Sequence, residues 1–129
     1  MSNRRAFTLV EVMIVVGLIA LLAAIAIPNY LRQRISANET YAQASLKAIS
    51  VALETYASGN GGQYPTETTA LVGEKPPYLT VNFFEGTHNG YTFSEDLQPY
   101  TYSVQAAPIS SSHGIRSFTI TTGGVLTEN

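Results

Sequence analysis

Residues 7–27 read FTLVEVMIVVGLIALLAAIAI, an apolar run of 21 residues from Phe7 to Ile27 interrupted by a single acid, Glu11. As a helix rising about 1.5 Å per residue, the run spans roughly 31 Å, enough to cross the hydrocarbon core of a bilayer. A carboxylate inside such a segment costs on the order of 2.5–3.5 kcal/mol on insertion scales. A plain anchor gains nothing from that cost, so Glu11 reads as a functional residue that needs a partner.

On the amino-terminal side the run is preceded by Met1-Ser2-Asn3-Arg4-Arg5-Ala6, a short polar leader. Arg4 and Arg5 abut the apolar residues and hold this end on the cytoplasmic side. Two ordinary readings stay open at this point. One is a secretory signal peptide cut after Ala24-Ile25-Ala26. The other is an uncleaved single-pass anchor. Both leave Glu11 unexplained.

Arg4-Arg5-Ala6 followed by Phe7-Thr8-Leu9-Val10-Glu11 resembles the class III signal of type IV pilins and pseudopilins, and Pro28 and Tyr30 follow at that family's spacing. The resemblance implies cleavage by a prepilin peptidase between Ala6 and Phe7, N-methylation of Phe7, and a Glu fifth in the mature chain that serves assembly. One position departs, because Ala6 stands where the family nearly always has Gly. The resemblance further implies that the stretch between Gly17 and Pro28 loosens when the subunit moves from membrane to filament. Gly and Pro are the weak points of any helix: Gly costs about 1 kcal/mol relative to Ala, and Pro28 has no N–H to offer the carbonyl of Ala24.

The 129 residues allow one small domain beyond the membrane segment. Loss of the leader would leave 123 residues with 5 Lys+Arg against 9 Asp+Glu, moving the formal charge from −2 to −4. An acidic chain whose Lys47, Lys75 and Arg116 are scattered offers nucleic acid no basic surface. With no cysteine, the domain has no disulfide framework and no thiol chemistry. Many pilins close a C-terminal loop with a disulfide; this chain must hold its loop by packing and hydrogen bonds.

From Asn29 to about Ser58 the helix continues in a different character. Ile35, Ala42, Ile49 and Tyr56 recur every seven residues with Leu46 and Leu53 beside them, an apolar stripe that needs something to pack against. Arg32, Arg34, Asn38, Glu39, Gln43 and Lys47 mostly fall on the other faces. Tyr30, Tyr41 and Tyr56 read as packing aromatics. Ser58-Gly59-Asn60-Gly61-Gly62 stops the helix. Tyr64-Pro65 a few residues later also resembles many pilins, and residues 66–90, with Pro76-Pro77, Gly86 and Asn89-Gly90, read mainly as loop.

The remainder alternates apolar with polar in Tyr91-Thr92-Phe93, Tyr100 to Gln105, and Phe118 to Thr122, with Gly123-Gly124 turning into Val125-Leu126. A face built from Tyr102, Val104, Phe118 and Ile120 is expected to lie on the helical stripe. The fold class expected is α+β: a long N-terminal helix, transmembrane in one half and amphipathic in the other, packed on a small antiparallel sheet. The expected division is a leader at 1–6, a membrane and filament-core helix at 7–28, and a soluble domain at 29–129. That domain comprises helix 29–58, loop 59–90 and sheet 91–129.

Catalytic chemistry would have to come from His88, His113, Ser110 to Ser112, Glu85, Glu95 and Asp96, which share no ligand or nucleophile spacing. No phosphate loop or nucleophile elbow is visible. Some pseudopilins hold calcium in a C-terminal loop, but Asp96 is the only Asp in the chain and such a loop needs several acids. Asn38-Glu39-Thr40 matches a glycosylation sequon but falls within the helix, and reads as chance.

The expected function is a structural filament subunit without cofactor or metal. It would be inserted in the inner membrane, processed by prepilin peptidase, handed to inner-membrane assembly machinery, and polymerised with copies of itself. Lipid surrounds the helix before assembly, and the assembled filament lies outside the cell. A pseudopilin of type II secretion is a second expectation. A monomeric, membrane-tethered binding domain is the third, of a different class.

Overall fold

The structure, a computed structural model, describes residues 5–129; the first four residues of the expected leader, Arg4 among them, lie outside the described residues. Helix α1 runs from Leu9 to Gly59, with Pro28 inside it. A short helix α2 follows at Thr69–Val72, then strands β1 (Tyr91–Leu97), β2 (Tyr102–Pro108), β3 (Phe118–Thr121) and β4 (Val125–Glu128). The chain divides into two compact units between Gln33 and Arg34.

In the first unit, α1 is apolar all round from Val12 to Ile27. The helix is long and apolar enough here to cross a membrane, and this stretch buries no residue, as expected of a helix built for lipid or for partner helices. Gly17 has open space about it.

The second unit is an amphipathic segment of α1 packed on the sheet. Ala42, Leu46, Ile49 and Leu53 are fully buried, as the seven-residue recurrence requires. They share one core with Tyr91, Phe93, Tyr102, Val104, Ala106, Phe118 and Ile120. The sheet is antiparallel throughout, in the order β1-β2-β3-β4. Its register places Val104 opposite Ile120 and Ala106 opposite Phe118. Alternate residues of β2 and β3 therefore point to the helix. The expected α+β architecture is what the chain forms.

Several boundaries differ from the expectation. Strand β1 continues four residues past Phe93, because β2 pairs with it through Glu95, Asp96 and Leu97 although those two acids face solvent. Tyr100 and Thr101 precede β2 rather than belonging to it; the Gln98 N–H donates to the Thr101 carbonyl and closes a turn there. The segment read as loop contains α2, whose Leu71 is fully buried and whose carbonyl at Leu71 accepts from the Leu79 N–H.

Two residues assigned to the solvent face of α1 are buried. Asn38 and Glu39 are 9% and 6% exposed, because both reach partners in the segment that precedes β3.

Candidate functional site

Residues 5–8 precede the first turn of α1, and Ala6 and Phe7 are exposed there, Phe7 at 85%. The bond between them therefore lies in exposed chain outside regular secondary structure, next to the helix start. At that start Thr8 and Glu11 bond reciprocally. The Glu11 N–H donates to Thr8 Oγ1 at 3.2 Å, and the Thr8 N–H donates to Glu11 Oε2 at 3.4 Å. This is a capping box, in which two otherwise unpaired backbone donors at a helix start are satisfied. Its signature, Thr-x-x-Glu, is legible in the sequence and gives Thr8 a role beside Glu11. Glu11 also sits where the positive end of the helix dipole favours an acid. The capping box thus occupies one Glu11 oxygen weakly and leaves the other available.

Gly17 and Pro28 both lie within α1. Pro28 removes one i→i−4 hydrogen bond, the one that would reach Ala24.

Two further acids, neither singled out from the sequence as a site, fix the sheet to α1. The first is Glu39. Its Oε1 accepts the backbone N–H groups of Ile115 and Arg116 at 3.1 and 3.2 Å, and its Oε2 accepts Arg116 Nη2 at 2.8 Å and Nε at 3.2 Å. Arg116 Nη1 donates onward to Glu128 at 2.9 Å, tying in β4. Burial pushes the Glu39 carboxyl up, but the Arg116 guanidinium and the two amides outweigh it and hold the group below the usual carboxylate range. Beside it, Asn38 Nδ2 donates to the His113 carbonyl at 2.9 Å. The sequon asparagine is therefore buried and bonded, and a glycan has no access to it.

The second acid is Glu54. Its carboxylate accepts the hydroxyls of Tyr64 and Tyr102 and the backbone N–H of Gly123, at 3.1 to 3.2 Å. Tyr102 Oη in turn accepts from Ser50 Oγ at 2.8 Å and from the Gly124 N–H at 3.2 Å. Burial, reinforced by the Glu54 charge, raises both tyrosine hydroxyls above their ordinary range. The Tyr64 and Tyr102 rings meet edge-on at 4.9 Å, so Tyr64 of the Tyr64-Pro65 pair seals this node.

Of the residues considered for catalysis, Ser110, Ser112 and His113 bond to one another within one loop, and His88 bonds to the Glu85 carbonyl. His88 Nε2 donates between the carbonyls of Asn82 and Glu85 at 3.1 and 3.0 Å, with its ring against Phe83 and Phe93. The partners of His113 Nδ1 are Ser110 and Ser112 of its own exposed loop. Asp96 accepts from Gln98. Among the described residues no group of three or more His, Cys, Asp or Glu could hold a metal ion.

Together these features define a class: a small α+β head on a long helix whose apolar start carries one acid. Residues 1–27 match the model of the prokaryotic N-terminal methylation motif. The chain is 35% identical over 95 residues to the type IV wide pilus major component PilA4 of Thermus thermophilus, a match covering 70% of this chain and 72% of that protein. It is 44% identical over 56 residues to the type IV major pilin protein PilA of Myxococcus xanthus, covering 43% of this chain and 26% of that one. It is also 37% identical over 65 residues to the type II secretion system core protein G of Pseudomonas aeruginosa, covering 50% and 45%. No solved structure matches the chain. The chain belongs to the type IV pilin family, and its motif is the one that marks a prepilin for processing and methylation.

Proposed function

We propose that this chain is the structural subunit of a type IV pilus-like filament. The precursor is inserted in the inner membrane with its leader in the cytoplasm. Prepilin peptidase cuts between Ala6 and Phe7, and Phe7 is methylated. Assembly machinery of the inner membrane then extracts the subunit from lipid, and copies polymerise through α1 into a filament outside the cell. The observation that carries the reading is the unburied apolar start of α1 with its single acid, Glu11. Such a helix suits lipid first and a bundle of like helices afterwards. Repeated contacts between different faces of identical subunits do not close into a ring, and give an open fibre.

In this reading the mature Phe7 amino group and Glu11 supply opposite charges that match between subunits only in the right axial register. Gly17 and Pro28 bound the part of α1 that loosens on extraction, residues 29–129 form the surface domain, and the chain catalyses nothing.

The similarity to the type II secretion core protein G favours a second reading, a pseudopilin acting as a short secretion piston. Electron microscopy of sheared surface fibres separates the two. A long fibre labelled by an antibody to this chain supports the pilus subunit, and a stub confined to the periplasm supports the pseudopilin. A chain that never assembles would leave only a tethered monomeric domain.

A further inference from the structure

The charges just beyond the apolar run are distributed unusually. Between Val12 and Asn38 the only charged residues are Arg32 and Arg34, in a chain that has more acids than bases. Both are exposed, as is Tyr30 at 64%. Among the described residues the ion pairs are those of Arg116 with Glu39 and Glu128, so neither Arg32 nor Arg34 is paired. If the leader stays in the cytoplasm, these two cations stand on the exported side, against the usual bias of basic residues toward the inside. They need a reason to be there.

From these placements we infer that Arg32 and Arg34, with Tyr30, form a collar that binds phospholipid phosphates at the outer face of the membrane and prefers anionic headgroups. The inference rests on the membrane-inserted precursor proposed above. Two geometric facts favour lipid over a second copy of the chain. The first is height: Arg32 and Arg34 lie five and seven residues past Ile27, about 7.5 and 10.5 Å along the helix axis. The polar headgroup layer occupies roughly 5–8 Å beyond each edge of the hydrocarbon, and an arginine side chain bends back toward it. The second is direction. Residues two apart on a helix point about 200° from each other, so Arg32 and Arg34 face nearly opposite ways. One protein neighbour cannot satisfy both, whereas a plane of phosphates surrounds the helix. Tyr30 adds the aromatic ring typical of that level.

The collar sets the depth of the precursor and leaves outward with the subunit, so its cations never cross the hydrocarbon. Arg4 and Arg5 at the other end would have to cross it, and cleavage after Ala6 removes them.

The test places the full-length chain in nanodiscs of equal phosphatidylglycerol and phosphatidylcholine and counts retained lipids by native mass spectrometry. Each arginine near an anionic surface is worth roughly fivefold in lipid preference. The wild type should retain phosphatidylglycerol severalfold over phosphatidylcholine, and R32K/R34K should keep that preference. R32Q/R34Q should lose the share that two arginines supply while remaining in the disc, Arg4 and Arg5 holding the rest at the other face. Equal preference in the wild type and R32Q/R34Q overturns the collar. So does a glutamine variant that keeps its lipid preference but loses cross-linking between copies, since the cations would then face a second chain. Extraction of the wild type from vesicles by alkaline carbonate would overturn the membrane-inserted precursor itself, and the collar with it.

Discussion

The Glu39 carboxylate and the Arg116 guanidinium approach to 2.8 Å, the acid side chain 8% exposed and the base 50% exposed. The same carboxylate caps two successive backbone N–H groups, of Ile115 and Arg116. One buried acid on α1 thereby fixes the chain entering β3 and, through Glu128, the last strand. In a domain without cysteine this does the work of a cross-link, and it depends on charge.

Acid should therefore loosen this domain. The Glu39 carboxyl lies lower in the folded than in the unfolded chain. Its contribution is complete above the unfolded value, near 4.5, and disappears as pH falls through the lower folded value. Glu39→Gln should cost about 1–3 kcal/mol at neutral pH, as loss of charge-assisted hydrogen bonds does. It should also flatten the loss of stability below pH 4.5. Urea unfolding at a series of pH values checks both, and an unchanged acid limb in Glu39→Gln refutes the assignment.

A fragment beginning near Asn29 should be soluble, folded and monomeric, because it keeps the residues from Ala42 to Leu53 that the sheet needs and loses the apolar run. Within it Leu53, fully buried, is a large side chain at the centre of the core. Leu53→Ala should destabilise the fragment by roughly 2–5 kcal/mol. Calorimetry or denaturant titration measures this, and a negligible effect would mean that the stripe faces something other than the sheet.

Processing should yield a mature chain that begins at Phe7. Intact-mass spectrometry of purified filaments or membranes reads the terminus directly, together with a methyl group on Phe7. Ala6→Gly should leave the product unchanged and speed its appearance. A mature terminus at Ile27 would instead point to an ordinary signal peptide.

Glu11→Val should insert in the membrane and be cut after Ala6, yet fail to enter fibres. Apolar surroundings make an unmatched charge costly, typically 3–5 kcal/mol when one partner of a buried pair is removed. Loss of the capping box costs the helix start a further amount, typically about 0.5–2 kcal/mol. Glu11→Gln keeps the capping geometry and removes the charge, so it separates the two roles. Fibre yield from Glu11→Gln near wild type, with no wild-type subunit present, would assign the acid to capping alone.

What the sequence discloses about this fold follows the range of the interactions involved. Hydropathy marks the run from Phe7 to Ile27, and recurrence every seven residues marks the face of α1 that carries Ala42, Leu46, Ile49 and Leu53. Both are local patterns with a fixed period. The burial of Asn38 and Glu39 is not local, since their partners His113, Ile115 and Arg116 lie 75 to 77 residues later. A charged residue on a helix otherwise reads as solvated. Glu54 is hidden for the same reason, with Tyr102 and Gly123 48 and 69 residues away. The far end of β1 was missed because Ser94-Glu95-Asp96 has no alternation, the strand being held there by β2 rather than by its own apolar face. The Thr8–Glu11 box is the reverse case, a local pattern that spacing alone exposes. An acid in an apolar helix calls for a partner outside the segment, and the box supplies one within it.

The Glu54 node has a consequence for how the head comes apart. A single carboxylate receives Tyr64 from the loop after α1, Tyr102 from β2, and Gly123 from the turn between β3 and β4. All three reach Oε1, so opening any one of them lets water to the atom that holds the others, and each opening weakens the next. Segments far apart in sequence should then exchange their amide hydrogens as one unit, at one rate, rather than fraying separately from the chain's end. The turn of the last hairpin is thus tethered to the helix as well as closed by its own ladder.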